Sequence, residues 1–368
     1  MRSGGSALSA PAPDEIEISL FGPGFGEGLA VHVGDGRWML VDSCVNRDTG
    51  RSASLDYLAE IGVGCRDAVR AVVASHWHDD HVRRFAEVVA RCEQATVFFS
   101  SAFGHSEFLS LVEAKPGTTR ITGGAREMAA VIAALRERRQ NGAGPDVVNR
   151  LVVEEVNVYK SELSAVTALS PSSSAVENAI KAFASLLPES PGAHLRVVAP
   201  SKNEASVVLW VDGPGCSALL GADLQRESAD DRGWGRIVAL GGRGEATLVK
   251  VPHHGGESGH DQRMWDQLLG VHPQALITPW KRGGKLLPTD GDRVRICELA
   301  PDASIVGLAQ ASPRRLDSAV ERTLKEAAKN RSVVGNNAGH VRARCAPADA
   351  GQWRVERIRD AHPLCTAA

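Results

Sequence analysis

Apolar and polar positions alternate over EIEISLFG (15–22), the period of a strand with one buried face. LAVHVGDGRWMLVDS (29–43) repeats the pattern twice around the turn Gly34-Asp35-Gly36, which predicts a hairpin. Residues up to Ile61 close a short helical stretch. AVRAVVAS (68–75) is then a continuous apolar run of strand length, read as a buried strand. A helical period follows in VRRFAEVVARC (82–92), and another strand in ATVFFSS (95–101). Further on, REMAAVIAALRERRQ (126–140) and SAVENAIKAFASLL (174–187) predict amphipathic helices, the second capped by Ser173 or Ser174. Strands are expected at 205–213 and 216–224 around Gly213-Pro214-Gly215, at 246–256, which ends in paired histidines, and at 275–280. A helix over 290–300 and a terminal hairpin within 338–360 complete the reading. Strands alternating with helices predict an α/β protein.

Composition narrows this picture. The 368 residues are 43% hydrophobic and 23% charged, with a formal net charge of -2, which does not suit a strongly basic nucleic-acid binder. Seven single cysteines, odd in number and without a CxxC, argue against a disulfide framework and for a reducing compartment. No apolar run has the length of a membrane span, and residues 1–14 lack the apolar region of a signal peptide. The expectation is a cytoplasmic protein without a membrane partner. It has a flexible tail (1–14) and one domain (15–368), in which 100–195 is an insertion.

The chemistry concentrates in SHWHDDHV (75–82), where a strand gives way to a helix. His76 and His78 can point the same way from an extended turn, and Asp80 and His81 can aim at a second point nearby. Imidazole and carboxylate in that mix suit divalent ions such as Zn²⁺ or Mn²⁺. Trp77, between two ligands, is a candidate pocket wall or stacking surface for a base. Lys281, within WKRGGK, is a candidate phosphate contact. There is no G-x-S-x-G and no Walker A sequence, which removes two competing chemistries.

His76-x-His78-x-Asp80-His81 after a buried strand resembles the signature of metallo-β-lactamase-fold hydrolases. Asp42, at the end of the opening hairpin, matches that family's buried aspartate. Asp223 in LLGADL matches its bridging aspartate, and VKVPHHGG matches the strand that ends in its last histidine ligand. The chain is most similar to the ComEC/Rec2-like branch. The matching residues are Asn203-Glu204-Ala205-Ser206, Gly221-Ala222-Asp223 and His253-His254-Gly255. Two departures stand out. SKNEAS (201–206) replaces a histidine-bearing strand, its Lys202 and Asn203 not being equivalent ligands, and Leu286-Leu287-Pro288 replaces a Gly-His-Pro.

The resemblance implies an αββα sandwich and two divalent ions, the first position short of a ligand and weakly occupied. It implies ligands His76, His78, Asp80, His81, Asp223 and His253, and catalytic roles for Asp80, Asp223 and His254. Spacing alone does not choose between His253 and His254. Family position favours His253 as ligand, which leaves His254 as a proton donor or phosphate contact. Asn203 joins Trp77 and Lys281 as a substrate contact. The implied activity is phosphodiester hydrolysis, of DNA or RNA, by a metal-activated water. A small ester, lactone or cyclic nucleotide is the alternative substrate, and a degenerate binding module the alternative of another class. The terminal hairpin either completes a sheet edge or makes a homodimer contact.

Overall fold

In a computed structural model of the chain, the described residues are 8–22, 26–113, 119–121, 123–142, 149–187, 195–197, 203–282, 284–307, 322–323 and 339–365. Lys202, most of the LPESPGAH link and the first seven residues of the expected tail lie outside them. Two eight-stranded sheets face each other, with helices on both outer faces. This is the αββα sandwich that the resemblance implied. The first sheet runs, in spatial order, Arg354–Ile358, Gly339–Cys345, Ile16–Gly22, Gly28–His32, Trp38–Asp42, Val69–Ala74, Thr96–Ser100 and Asn149–Val152. The second runs His362–Pro363, Ser304–Ile305, Leu269–Ile277, Ala246–Lys250, Cys216–Leu220, Leu209–Gly213, Ala165–Ala168 and Asn157–Lys160.

The period of two along each strand divides its side chains between layers. Met39 and Val41 enter the core between the sheets, where they join Leu209, Val211 and Leu220. Trp38 and Leu40 point outward against Phe85 and Val88 of the first helical layer. Trp210 and Leu219 point the other way, onto Trp234, Ile237 and Met264. Trp38–Asp42, Val69–Ala74 and Thr96–Ser100 are mutually parallel, as are Cys216–Leu220, Ala246–Lys250 and Leu269–Ile277. Asp42, the run His76 to His81, Asp223, His254 and Thr278 each lie at or just beyond the carboxyl end of one of these strands. That is where open α/β sheets present ligand sites.

Several expectations change. Residues 100–195 do more than decorate: Asn149–Val152 forms one edge of the first sheet, and Asn157–Lys160 and Ala165–Ala168 extend the second. The second predicted helix is Ser173–Ala184, and its cap is Ser172, whose Oγ accepts from the Ala175 amide at 3.3 Å. The terminal hairpin pairs with Ile16–Gly22 and completes the sheet edge. A disulfide joins Cys297 to Cys365, against the expectation of none. The helix Asp290–Leu299 packs beside the terminal segment there, and the Leu364 amide donates to the Ala303 carbonyl at 2.8 Å. No helix of the described residues is long and apolar enough to cross a membrane.

The alternation in 15–22 also misleads, because every residue of Ile16–Gly22 is buried. The face bearing Glu17 and Ser19 is covered by the helix Ala53–Glu60 and by the C-terminal strand. Glu17 accepts from Tyr57 Oη at 2.6 Å, Ser19 Oγ at 2.7 Å and Arg344 Nε at 2.7 Å. A buried carboxylate with three charge-assisted or hydroxyl donors is satisfied, whereas removing it strands its partners. Glu17→Ala should therefore lower the unfolding free energy by about 3–5 kcal/mol, because Arg344 loses its buried counter-charge. Urea titration measures this; a loss within the spread of ordinary surface substitutions would show the network to be dispensable.

Candidate metal centre

The site starts from Asp42. It ends its strand with a left-handed backbone (φ 58°), and its carboxylate is buried. Oδ1 accepts from the Ser75 amide at 2.7 Å, and Oδ2 accepts from Ser75 Oγ at 2.6 Å and from His81 Nδ1 at 2.7 Å. The Ser75 hydroxyl, having given its proton to Asp42, accepts from His76 Nδ1 at 3.0 Å. His254 Nδ1 donates to the Thr278 carbonyl at 3.0 Å. All three rings are thus held by Nδ1, which leaves Nε2 to face the centre. Asp223 Oδ2 lies 3.7 Å from His76 Nε2, 3.4 Å from His81 Nε2 and 3.4 Å from His254 Nε2. Asp80 Oδ2 is 3.4 Å from His254 Nε2.

The backbone that delivers these groups is tightly constrained. The Glu27 amide donates to the Asp80 carbonyl at 2.7 Å, and the Ser43 amide to the His81 carbonyl at 2.7 Å. Gly26 (φ +94°) has to be glycine, since a Cβ there would sit 1.8 Å from the Asp80 carbonyl oxygen. Beyond Lys250, His253 and His254 both adopt left-handed backbone (φ 47° and 56°), with Gly255 following at φ +78°. Such strain in non-glycine residues persists only where surroundings over-determine it. The turn sends His254 inward. His253 faces away, with Nδ1 2.7 Å from Ser258 Oγ and Nε2 3.3 Å from Gln225 Nε2. Of the pair it is therefore His254, not the expected His253, whose ring joins the cluster.

Asp80, His81, Asp223 and His254 bring their donor atoms within 4.8 Å of one another, as a metal site requires. None of the three histidine Nε2 atoms has a hydrogen-bond partner among the described residues, although all are buried. The charges point the same way. Asp42, Asp80, Asp223 and Glu27 crowd one region, and Lys250 is the lone ammonium there among the described residues, 2.5 Å from Glu27 Oε1 and 3.8 Å from Asp223 Oδ1. Surplus buried negative charge needs protons or cations. Without a cation, protons do this work. Burial opposes the charge on His254, but Asp223 and Asp80 outweigh it and raise the group to about 9. His81 rises well above its ordinary value, burial being overcome by Asp223 and Asp42. His76 is pushed well below, by burial and then by His81, and stays neutral. The donor set fits a divalent cation.

His78 sits at the edge of the cluster, its ring 4.9 Å from that of His76. Trp77 and Asn203, with His76, line a cavity of about 300 Å³ beside it. Lys281 is exposed and does not line that cavity. Glu27 and Lys250 were missed from the sequence. A lysine inside the apolar run ATLVK, one turn before paired histidines, was the available signal. His32 is structural, its ring bonded to the Glu15 carbonyl and the Gly36 amide, and Cys44 is buried.

No family model and no curated protein matches the chain. Among solved structures it is similar to the metallo-beta-lactamase fold protein YhfI from Bacillus subtilis, at 12% identity and TM-score 0.41, over 79% of this chain and 95% of that one. It is also similar to MEM-A1, a subclass B3 metallo-beta-lactamase from a soil metagenome library, at 14% identity and TM-score 0.36, over 70% and 84% of the two chains. A B3 metallo-beta-lactamase with an active-site glutamic acid is 17% identical, with a TM-score of 0.31 over 61% and 68%. The architecture itself rests on the sheets and helices described above.

Two outcomes are expected. Asp42→Asn keeps an acceptor for Ser75 but none for His81 Nδ1, so Zn²⁺ affinity should fall about 10–100-fold in a chelator competition. Unchanged affinity would mean that His81 is oriented without Asp42. His254, raised to about 9, carries a proton below that pH in the cation-free protein, and an incoming ion displaces it. Zn²⁺ affinity should therefore rise with pH from 6.5 towards 9, by about tenfold per unit for each proton displaced. Calorimetry in buffers of different ionisation enthalpy should count at least one proton released per ion. A count of zero would place the ion elsewhere.

Proposed function

We propose that the protein is a metal-dependent hydrolase that cleaves phosphodiesters. The observation that carries the reading is the convergence of three Nδ1-anchored histidines on one oxygen of Asp223, with Asp80 beside them. Asp80, His81, Asp223 and His254 would hold a divalent cation, which when bound would acidify a water and polarise the attacked group. The chain's own residues supply the rest. Asp80, whose side chain is 23% exposed, is the carboxylate of this set that solvent reaches, and the oxygen not given to the cation would accept the hydrogen bond, and then the proton, of the attacking water. Asp223, nearly buried and surrounded by imidazoles, is held ionised: burial works against its charge, and His254 and His81 prevail. His254 Nδ1 is fixed on Thr278 and its Nε2 would be given to the cation, so this histidine would hold the ion rather than donate a proton to a leaving group.

The choice of phosphodiester is supported by the resemblance to the ComEC/Rec2-like branch. Of the residues that carry it, Asn203 and Ser206 line the cavity shared with His76, while Asp223 and His254 belong to the cluster. The first metal position would draw on His76, His78 and Asp223 alone, which suits weaker occupancy than the four-residue second position.

Purified protein with Mn²⁺ or Zn²⁺ should cleave bis-(p-nitrophenyl) phosphate or one of single-stranded DNA, double-stranded DNA and RNA. Asp80→Ala should lower the rate by about 10²–10⁴-fold. His78→Ala should abolish hydrolysis while leaving one tightly held ion in place. Turnover of p-nitrophenyl acetate alone would move the substrate to carboxylic esters. A bound ion with no turnover of any substrate would leave a binding module, and undiminished cleavage by Asp80→Ala would remove the assignment.

A further inference from the structure

The cavity beside the cluster is unexplained by hydrolysis alone. It has a volume of about 300 Å³ and includes His76 in its wall, whose Nε2 faces Asp223. Its apolar walls are Trp77, Phe103, Phe183 and Leu186. The Trp77 and Phe183 rings meet edge to face at 5.9 Å, and Phe103 lies 6.3 Å from Phe183. Asn178, from the helix Ser173–Ala184, and Asn203 and Ser206, from the turn before Leu209–Gly213, add polar groups.

Ser206 is the telling residue. It is fully buried, and its Oγ has no hydrogen-bond partner among the described residues. Its backbone is pinned: its amide donates to the Asn203 carbonyl at 3.0 Å, and its carbonyl accepts from Ser170 Oγ at 2.6 Å. A hydroxyl fixed in this way and left unsatisfied is costly unless a ligand completes it. Among the described residues no lysine or arginine lines the cavity, and the carboxylate of Glu204 there faces Arg232 Nε at 3.8 Å. That lining suits an uncharged occupant. An aliphatic chain would cover the rings but strand the hydroxyl and both amides. A sugar would satisfy those groups but leave the aromatic walls unused. A planar heteroaromatic ring does both, packing on the walls and pairing along its edge.

We propose that this cavity binds one nucleobase, which brings the phosphoester of a nucleotide toward His76 and the cluster beyond it. The inference rests on the phosphodiesterase reading for what lies on the His76 side, but not for the occupancy of the cavity. The substrate class is then a small nucleotide phosphodiester or the terminal nucleotide of a strand, taken one base at a time.

The test separates the two claims, because nucleosides carry no phosphoester and their binding needs no hydrolysis. Adenosine, guanosine, cytidine and uridine, with octanoate for comparison, are titrated calorimetrically into the full chain. At least one nucleoside should bind. Ala182→Trp, which fills the cavity from its helix, should weaken binding about tenfold or more, the size of a lost base-stacking contact. Ser206→Ala should weaken it several-fold without lowering the melting temperature, and serves as the readout if the bulkier variant does not fold. Binding of none of the four, affinity unchanged in both variants, or octanoate bound in their place would each overturn the proposal. Nucleoside binding without cleavage of any phosphodiester would keep the cavity and remove the hydrolase; cleavage of bis-(p-nitrophenyl) phosphate without nucleoside binding would do the reverse.

Discussion

The carboxylate of Asp42 is the constraint on which the site depends. It joins the end of one parallel strand to the end of the next through Ser75, and it fixes the ring of His81 in the loop beyond. Because Ser75 passes its own orientation on to His76, one buried group sets two imidazoles. The rest of the arrangement follows from that anchor. The Ser43 amide can reach the His81 carbonyl only if the loop leaves the strand at this angle, and Gly26 must then yield space to the Asp80 carbonyl. Metal-type ligands are weakly held by their own long side chains. Hydrogen bonds to their far nitrogens convert a flexible set into a preorganised one.

A second constraint comes from below the cluster. Lys250 and Glu27 are fully buried and pair across the two sheets, and Lys250 Nζ also donates to the Ala222 carbonyl at 2.9 Å. A buried ion pair is poor evidence of stability, since desolvation cancels much of its attraction. Its position explains it better. The ammonium partly offsets Asp223 and Glu27 without competing for the donor face, so the remaining negative charge is directed to the open side of the cluster. There protons on His81 and His254 balance it in the cation-free chain, and a divalent ion can replace them.

The sequence discloses what is local and hides what is made by long-range pairing. His76, His78, Asp80 and His81 are legible because, with Asp79, five ligand-type residues fall within six positions after an apolar strand. Asp223 is legible from its place in the order of motifs. The choice between His253 and His254 depends on two left-handed residues, which no residue pattern specifies. Glu27 and Lys250 are 223 positions apart, the first in a glycine-rich segment between two expected strands and the second at the end of a run that reads as ordinary strand. Glu17 and Ser19 look solvent-facing because alternation implies an open face, yet Arg344 and Tyr57 come from elsewhere in the chain to cover it. The Cys297–Cys365 bridge escapes for the same reason, its partners being 68 residues apart with no spacing motif.

The division of labour in the fold follows from these two kinds of information. Groups that meet the candidate cation lie at or just beyond the ends of central parallel strands, where hydrogen bonding on both sides leaves little freedom. Groups that line the cavity come mostly from the helix Ser173–Ala184, the turn before Leu209–Gly213 and the short helical turn Ser101–Gly104, all peripheral to the two sheets. Trp77 is the exception, and it is instructive. It lies in the ligand loop itself, one residue from His76, yet its ring packs among Phe108 and Phe183 of the outer helices. Gly124 has to lack a Cβ because the Trp77 carbonyl would lie 2.2 Å from it, so the helix Gly123–Gln140 closes directly on this residue. Trp77 thus couples the position of the ligand loop to the packing of the helices that shape the cavity. A shift in that helical layer would move His76 as well as the wall. The cavity and the ligand loop, though built on different parts of the fold, are therefore not independent here.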